Sequence, residues 1–222
     1  MSHGDAPAKV LDAAERLFAA RGFHGVSLRQ VAVEAGVVVS LVSYHYPTKQ
    51  QLFSAVLGRR LAAINHERLN RLDKAMQHRR PDGRVELEGV LRAFIEPAVV
   101  YSRDKRHGGI EYAQLIAGVS HDPQPHARQV AEQHTNPIAR HTIRALQMAM
   151  PELNAETIAR CYLFTVGAML SAISPPGRLD VLVDTRPTSK DTGEIVSQLV
   201  AFLQGGFEAI RSRQSKATAA PR

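Results

Sequence analysis

Between residues 27 and 49 the sequence gathers side chains that donate hydrogen bonds at close range: Ser27, Arg29, Ser40, Ser43, Tyr44, His45 and Lys49. No nucleophile elbow, phosphate loop or paired-carboxylate motif accompanies them, so covalent or acid–base catalysis is not the chemistry they point to. Hydroxyls, a phenol, an imidazole and two cations suit phosphate oxygens and base edges instead. A plain solvent face would carry Glu and Lys.

The elements that must hold these groups can be read locally. Ser27 is placed to cap a helix whose Gln30 reaches back to it, and Leu28, Val31, Ala32 and Ala35 recur at helical spacing to give one apolar face. Gly36 follows where a left-handed turn needs no Cβ, and Val37 locks the turn. A second short helix fits Val39 to Tyr46, closed by Pro47, with Thr48 free to cap the next. Only Val42 and Tyr46 share the inward spacing with Val37. Val39, Ser40, Leu41, Ser43, Tyr44 and His45 therefore face outward, and the segment reads as a helix-turn-helix. Upstream, Pro7 to Arg21 predicts a helix burying Val10, Leu11, Ala14, Leu17 and Phe18, ended by Gly22. Phe23 and Val26 complete the core of a three-helix unit, and Met1 to Ala6 is expected to fray, an arm at most.

These residues resemble the TetR family of one-component bacterial transcription regulators. The resemblance rests on Val10, Leu11, Ala13, Ala14, Leu17 and Phe18, on Arg21-Gly22-Phe23, on Ser27-Leu28-Arg29, on Ala32 with Ala35-Gly36-Val37, and on Tyr44-His45-Tyr46-Pro47-Thr48-Lys49-Gln50. It implies an all-α fold: a helix-turn-helix DNA-binding domain over 1–48, then a larger helical bundle over 49–213 for ligand binding and dimerisation, with 214–222 a disordered tail. It further implies that Arg29 reaches a base edge, that Ser27, Tyr44, His45 and Lys49 contact phosphates, and that Val39, Ser40, Leu41 and Ser43 read operator sequence. Two positions depart from the family pattern. Val38 stands where a polar capping residue is usual, and Leu41 where Thr is common, so thymine methyls suit this surface better than hydrogen-bonded readout.

Downstream the spacing stays helical. A long helix is predicted from Lys49 to about Met76, with Arg59, Arg60, Arg68 and Arg71 as a solvated flank. The turn residues Pro81, Asp82 and Gly83 break it, and an amphipathic helix through Leu87, Val90, Leu91, Phe94, Ile95, Ala98 and Val99 follows, with Pro97 a candidate kink. Further helices are predicted from Ile110 to Gly118, from Val130 to Met150 with a bend at Pro137, and from Ala155 to Ile173. The last of these is apolar on more than one side. Ser174 to Gly193 is a long irregular stretch, functional or mobile by expectation. A final helix from about Thr192 to Arg213 carries Gly205-Gly206 in its middle.

The resemblance implies a homodimer formed by the last two helices, at Gly167, Leu199, Phe202, Gly205 and Gly206. It also implies a sensor pocket, and between about Ala155 and Ile210 the chain is loosely similar to fatty-acid-responsive members. Candidate lining residues are Phe94, Tyr101, Tyr112, Leu115, His134, Ile138, His141, Phe164 and Met169, a set that suits a mainly apolar effector. The expected partners are a palindromic double-stranded operator, a small-molecule effector and a second copy, with repression favoured and activation left open.

Composition sets the outer limits. A net charge of +7 over 222 residues favours an anionic partner without naming it, and 44% hydrophobic residues are ordinary for a globular chain. One cysteine, Cys161, excludes an internal disulfide, and with no apolar run of membrane-spanning length the expectation is a cytoplasmic protein without cofactor or membrane partner. The rival class is a metal-binding helical enzyme through His126, His134 and His141, whose spacing matches no known zinc motif, so no metal is expected there.

Overall fold

The computed structural model describes residues 6–104, 109–122, 124–173, 182 and 191–219, and within them regular structure is helical apart from one isolated bridge between Arg79 and Val85. The amino-terminal arm, nearly all of the 174–190 stretch and the last three residues lie outside the described residues. In chain order the helices are α1 (Ala6–Arg21), α2 (Leu28–Ala35), α3 (Val39–His45), α4 (Lys49–Gln77), α5 (Leu87–Tyr101), α6 (Gly109–His121), α7 (Pro125–Val130), α8 (Asn136–Ala149), α9 (Ala155–Ile173) and α10 (Thr192–Ala219). The last helix thus runs past the Arg213 at which the sequence pattern fades.

A π-helical turn, Ala131–Thr135, joins α7 to α8, where the sequence predicts one bent helix. Pro137 has no N–H to give to the carbonyl one turn back, and a widened turn just before it accommodates the loss. Pro97, by contrast, lies buried inside α5 without ending it.

The chain forms two compact units, residues 1–63 with 102–135, and 64–101 with 136–222. In the first, α1 packs against α2, α3 and α6. Its core is aromatic: Phe18 meets Phe53 edge-on at 4.9 Å, Phe53 meets Phe23 at 5.1 Å, and Phe23 stacks on His126 at 3.7 Å. Such offset and edge-on pairs contribute about 1 kcal/mol each beyond their buried area.

Two expectations about charge change here. Glu15 is buried on the inward side of α1, where Arg60 Nε donates to it at 2.7 Å and Arg59 pairs with it and, at 2.7 Å, with Asp12. Arg59 and Arg60 are therefore anchors between α1 and α4 rather than a solvated flank. Removing either partner of a buried pair leaves a costly charge behind.

In the second unit α5 is central, packed against α8, α9 and α10, with Val90, Leu91, Phe94, Ile95, Ala98 and Val99 buried. Arg68, also expected on the solvated flank, is only 4% exposed. Its guanidinium lies over the Phe94 ring at 4.2 Å, donates from Nε to the Phe94 carbonyl at 2.8 Å, and approaches Met169 Sδ at 3.2 Å. Stacking on an aromatic face and a fixed fork of donors let guanidinium tolerate burial better than ammonium. Asn154 caps α9 by accepting from the Thr157 amide at 2.8 Å. No described helix is long and apolar enough to cross a membrane.

Candidate nucleic-acid interface

The helix-turn-helix is built by three local devices. Ser27 is extended (φ −119, ψ 155), its hydroxyl accepts from the Gln30 amide at 3.3 Å, and the Gln30 side chain accepts from the Ser27 amide at 2.8 Å, a reciprocal capping box. Gly36 takes the left-handed conformation (φ 66, ψ 35), and the Val37 amide donates to the Ala32 carbonyl at 3.0 Å to close α2. Thr48 repeats the first device: its hydroxyl accepts from the Gln51 amide at 3.2 Å and its own amide donates to the Gln51 side chain at 3.1 Å. The beginning of α4 is thereby fixed against the end of α3.

Between these caps α3 turns only Val42 fully inward. Val38 precedes it with no side-chain cap, as its apolar side chain requires. Val39 is 41% and Tyr44 79% exposed, with Ser40, Ser43 and His45 exposed beside them. Leu41, expected to face outward, is half-buried. Ser27 and Arg29 are exposed on α2's leading turn, and the half-buried Lys49 holds its ammonium 4.4 Å above the Phe23 ring. Of the predicted contact residues, Leu41 and Lys49 are half-buried and the other seven exposed. Their surface offers hydroxyls, a phenol, imidazole and ammonium to an anion, with Val39 and Leu41 as the apolar share.

The nine residues expected to line a pocket are shared between the two units. Tyr112, Leu115 and His134 belong to the first unit, whereas Phe94, Tyr101, Ile138, His141, Phe164 and Met169 belong to the second. Phe94, Ile138 and Met169 are buried there, and Phe94 meets Tyr162 at 5.4 Å beside Arg68. Burial raises the Tyr162 phenol pKa, with Arg68 pulling it back. Phe164 departs from expectation, because it is 59% exposed, on the outer side of α9. Because α9 is apolar on more than one side, periodicity could not choose its inward face.

His134 occupies a different setting from the one assumed for it. It sits on a groove of about 620 Å³ lined by Thr48, Gln51, Ser54, Gly58 and Gln133, with its Nε2 3.0 Å from Ser54 Oγ. A Cβ on Gly58 would come within 2.7 Å of its ring. Burial lowers its pKa, so the ring is held neutral more strongly than a free imidazole. His126 and His141 have separate partners, Asp122 at 3.1 Å and Asp73 at 2.8 Å. His126 and His134 lie in the first unit and His141 in the second. Cys161 is buried and its thiol pKa is raised by burial, the behaviour of a core residue.

The residues expected at a subunit contact are placed differently again. Phe202 is 74% exposed, Gly167, Gly205 and Gly206 are exposed, and Leu199 is half-buried; Leu163, not among those expected, is 64% exposed on α9. A Cβ on any of the three glycines would meet nothing within 4 Å in this chain.

Three comparisons with known proteins bear on these surfaces. Residues 10–56 match the family model of bacterial regulatory proteins of the tetR family, and residues 92–206, more than half of the chain, match the tetracyclin repressor-like C-terminal domain. Over 53 residues the chain is 43% identical to the HTH-type transcriptional regulator LmrA of Bacillus subtilis (strain 168), a stretch covering 23% of this chain and 28% of that protein. The fold is similar to that of a TetR-like regulator from Rhodococcus sp. RHA1, with a TM-score of 0.64, 16% identity and coverage of 94% of this chain and 98% of the other. It is also similar to the transcriptional regulator FadR of Bacillus subtilis in complex with stearoyl-CoA, with a TM-score of 0.58, 13% identity and coverage of 89% and 97%. A capped helix-turn-helix in an all-helical chain, matched by models of both halves, leads to one conclusion: this protein belongs to the TetR family of DNA-binding transcription regulators.

Proposed function

We propose that this regulator works as a homodimeric repressor, holding a palindromic operator through two copies of the Ser27–Lys49 head and releasing it when a small, mainly apolar effector occupies the second unit. The observation that carries the reading is the exposed apolar stripe of α9 and α10. Leu163, Phe164 and Phe202 are each more than half exposed, and Gly167, Gly205 and Gly206 leave open space where another helix could come close. Exposed apolar groups of this size in adjacent helices mark a contact surface. One recognition helix of seven residues cannot hold a site tightly, whereas a symmetric pair presents two to major-groove faces about 34–36 Å apart.

The effector reading is supported by the apolar interior of the second unit around Phe94, Ile138 and Met169, all buried. FadR holds stearoyl-CoA, which makes acyl compounds the first class to test. A ligand acts only through a difference in affinity between two conformations, and a coupling of about 1–3 kcal/mol is enough for release. The test is a gel-shift titration against promoter fragments flanking the gene, with and without acyl-CoA. Cooperative binding of two chains per inverted repeat, weakened five-fold or more by the acyl compound, is expected. Binding of single chains with no preference for an inverted repeat would overturn the proposal.

A further inference from the structure

We propose that His24, Asp122 and His126 form a binding site for a divalent transition-metal ion of borderline softness, of the Zn²⁺ and Co²⁺ class. One ligand atom from each lies within 4.8 Å of the other two. His24 is separated from Asp122 and His126, themselves four residues apart, by roughly a hundred positions in the chain, and the fold of the first unit brings them together: His24 in the turn after α1, Asp122 just after α6, His126 in α7.

The donor set is the one such ions take, two imidazoles and a carboxylate, leaving a position open for water or a fourth group. Around one tetrahedral ion at about 2.0–2.2 Å, neighbouring donor atoms lie roughly 3.3–3.6 Å apart. His126 Nε2 and Asp122 Oδ2, at 3.1 Å, are close to that spacing. His24 closes the set by swinging an exposed ring about 1.5 Å at most.

Two features prepare the site beyond proximity. The Asp122 carboxylate is oriented by the Gln124 amide, which donates to Oδ1 at 2.9 Å and leaves Oδ2 for the ion. His126 is fixed by stacking on Phe23 at 3.7 Å. The Lys49 ammonium, 4.4 Å from the Phe23 ring centroid, adds positive charge nearby, which the Asp122 carboxylate offsets. A bound ion would tie the turn leading into the Ser27 cap to the α6–α7 junction, and so stiffen the approach to the reading helices.

The experiment is a titration of the full chain, stripped with chelator, with Co²⁺ followed by visible absorbance and with Zn²⁺ followed calorimetrically. A His3→Gln background removes the amino-terminal imidazole as a competing ligand. One ion per chain is expected, with affinity falling at least about tenfold in each of His24→Gln and Asp122→Asn, and a melting temperature raised by several degrees when Zn²⁺ is saturating. His126→Gln should act likewise, but its stacked ring also supports the core, so the exposed His24→Gln decides if that variant unfolds. Absence of saturable one-to-one binding, or binding unchanged in His24→Gln and Asp122→Asn, would overturn the proposal.

Discussion

Tyr44 on α3 and Phe202 on α10 are both aromatic and almost equally exposed, 79% and 74%, yet their surroundings differ. Around Tyr44 stand Ser40, Ser43 and His45, all able to donate to an anion. Phe202 sits on a helix packed against α9, whose outer side shows Leu163 and Phe164 at 64% and 59% exposure and Gly167 with no neighbour. An uncovered ring by itself says only that a surface has room for a partner. The neighbours differ in what they suit: those of Tyr44 a polyanion, those of Phe202 an apolar surface such as the second copy proposed above.

Substitutions can break this contrast at either end. The largest effect is expected from Phe202→Asp, which puts a carboxylate in the centre of the apolar surface. Dimer dissociation should rise at least about thirtyfold by sedimentation, with operator affinity falling alongside it. An unchanged dimer would show that the α9–α10 surface serves something else. Next come Tyr44→Ala and Lys49→Ala, each expected to weaken binding to every duplex by about tenfold while leaving the dimer intact. Lys49→Ala should also flatten the salt dependence by about one unit of slope per head. Arg29→Ala is a subtler change. In a competition series it should lose about 1 kcal/mol of preference at one base pair of each half-site, with little loss on the others. The smallest effect belongs to Ser27→Ala, which removes the hydroxyl from the capping box and should cost about 1 kcal/mol in urea unfolding, with one phosphate contact per head lost beside it.

The two regions also differed in how far they could be read in advance. In the head, causes are local: Ser27 with Gln30, Gly36 and Thr48 with Gln51 sit within four residues of what they fix, and the structure places each cap as the sequence implies. In the second unit the causes are distant. Phe164 was expected inside because α9 is apolar around most of its circumference, and only the positions of α5, α8 and α10 decide which side is covered. Arg68 carries an inward signal in its position. It continues the inward stripe of Leu61, Ile64 and Leu72 at helical spacing, and all four are buried. Charge alone had argued for solvent, but position outweighs charge when Phe94 offers a ring and a carbonyl. Glu15 carries the same lesson on α1, flanked by the buried Ala14 and Phe18. No spacing rule could have joined His24 to Asp122 and His126, because the turn after α1 meets α6 and α7 only once the chain has folded.

The measurement that bears most directly on the central claim is sedimentation velocity of the full chain at micromolar concentration, alone and with a duplex carrying an inverted repeat from beside its own gene. Two chains in the free particle and two chains per duplex are the predicted results. A monomer in both samples, or a duplex left free in dilute salt, would contradict the account.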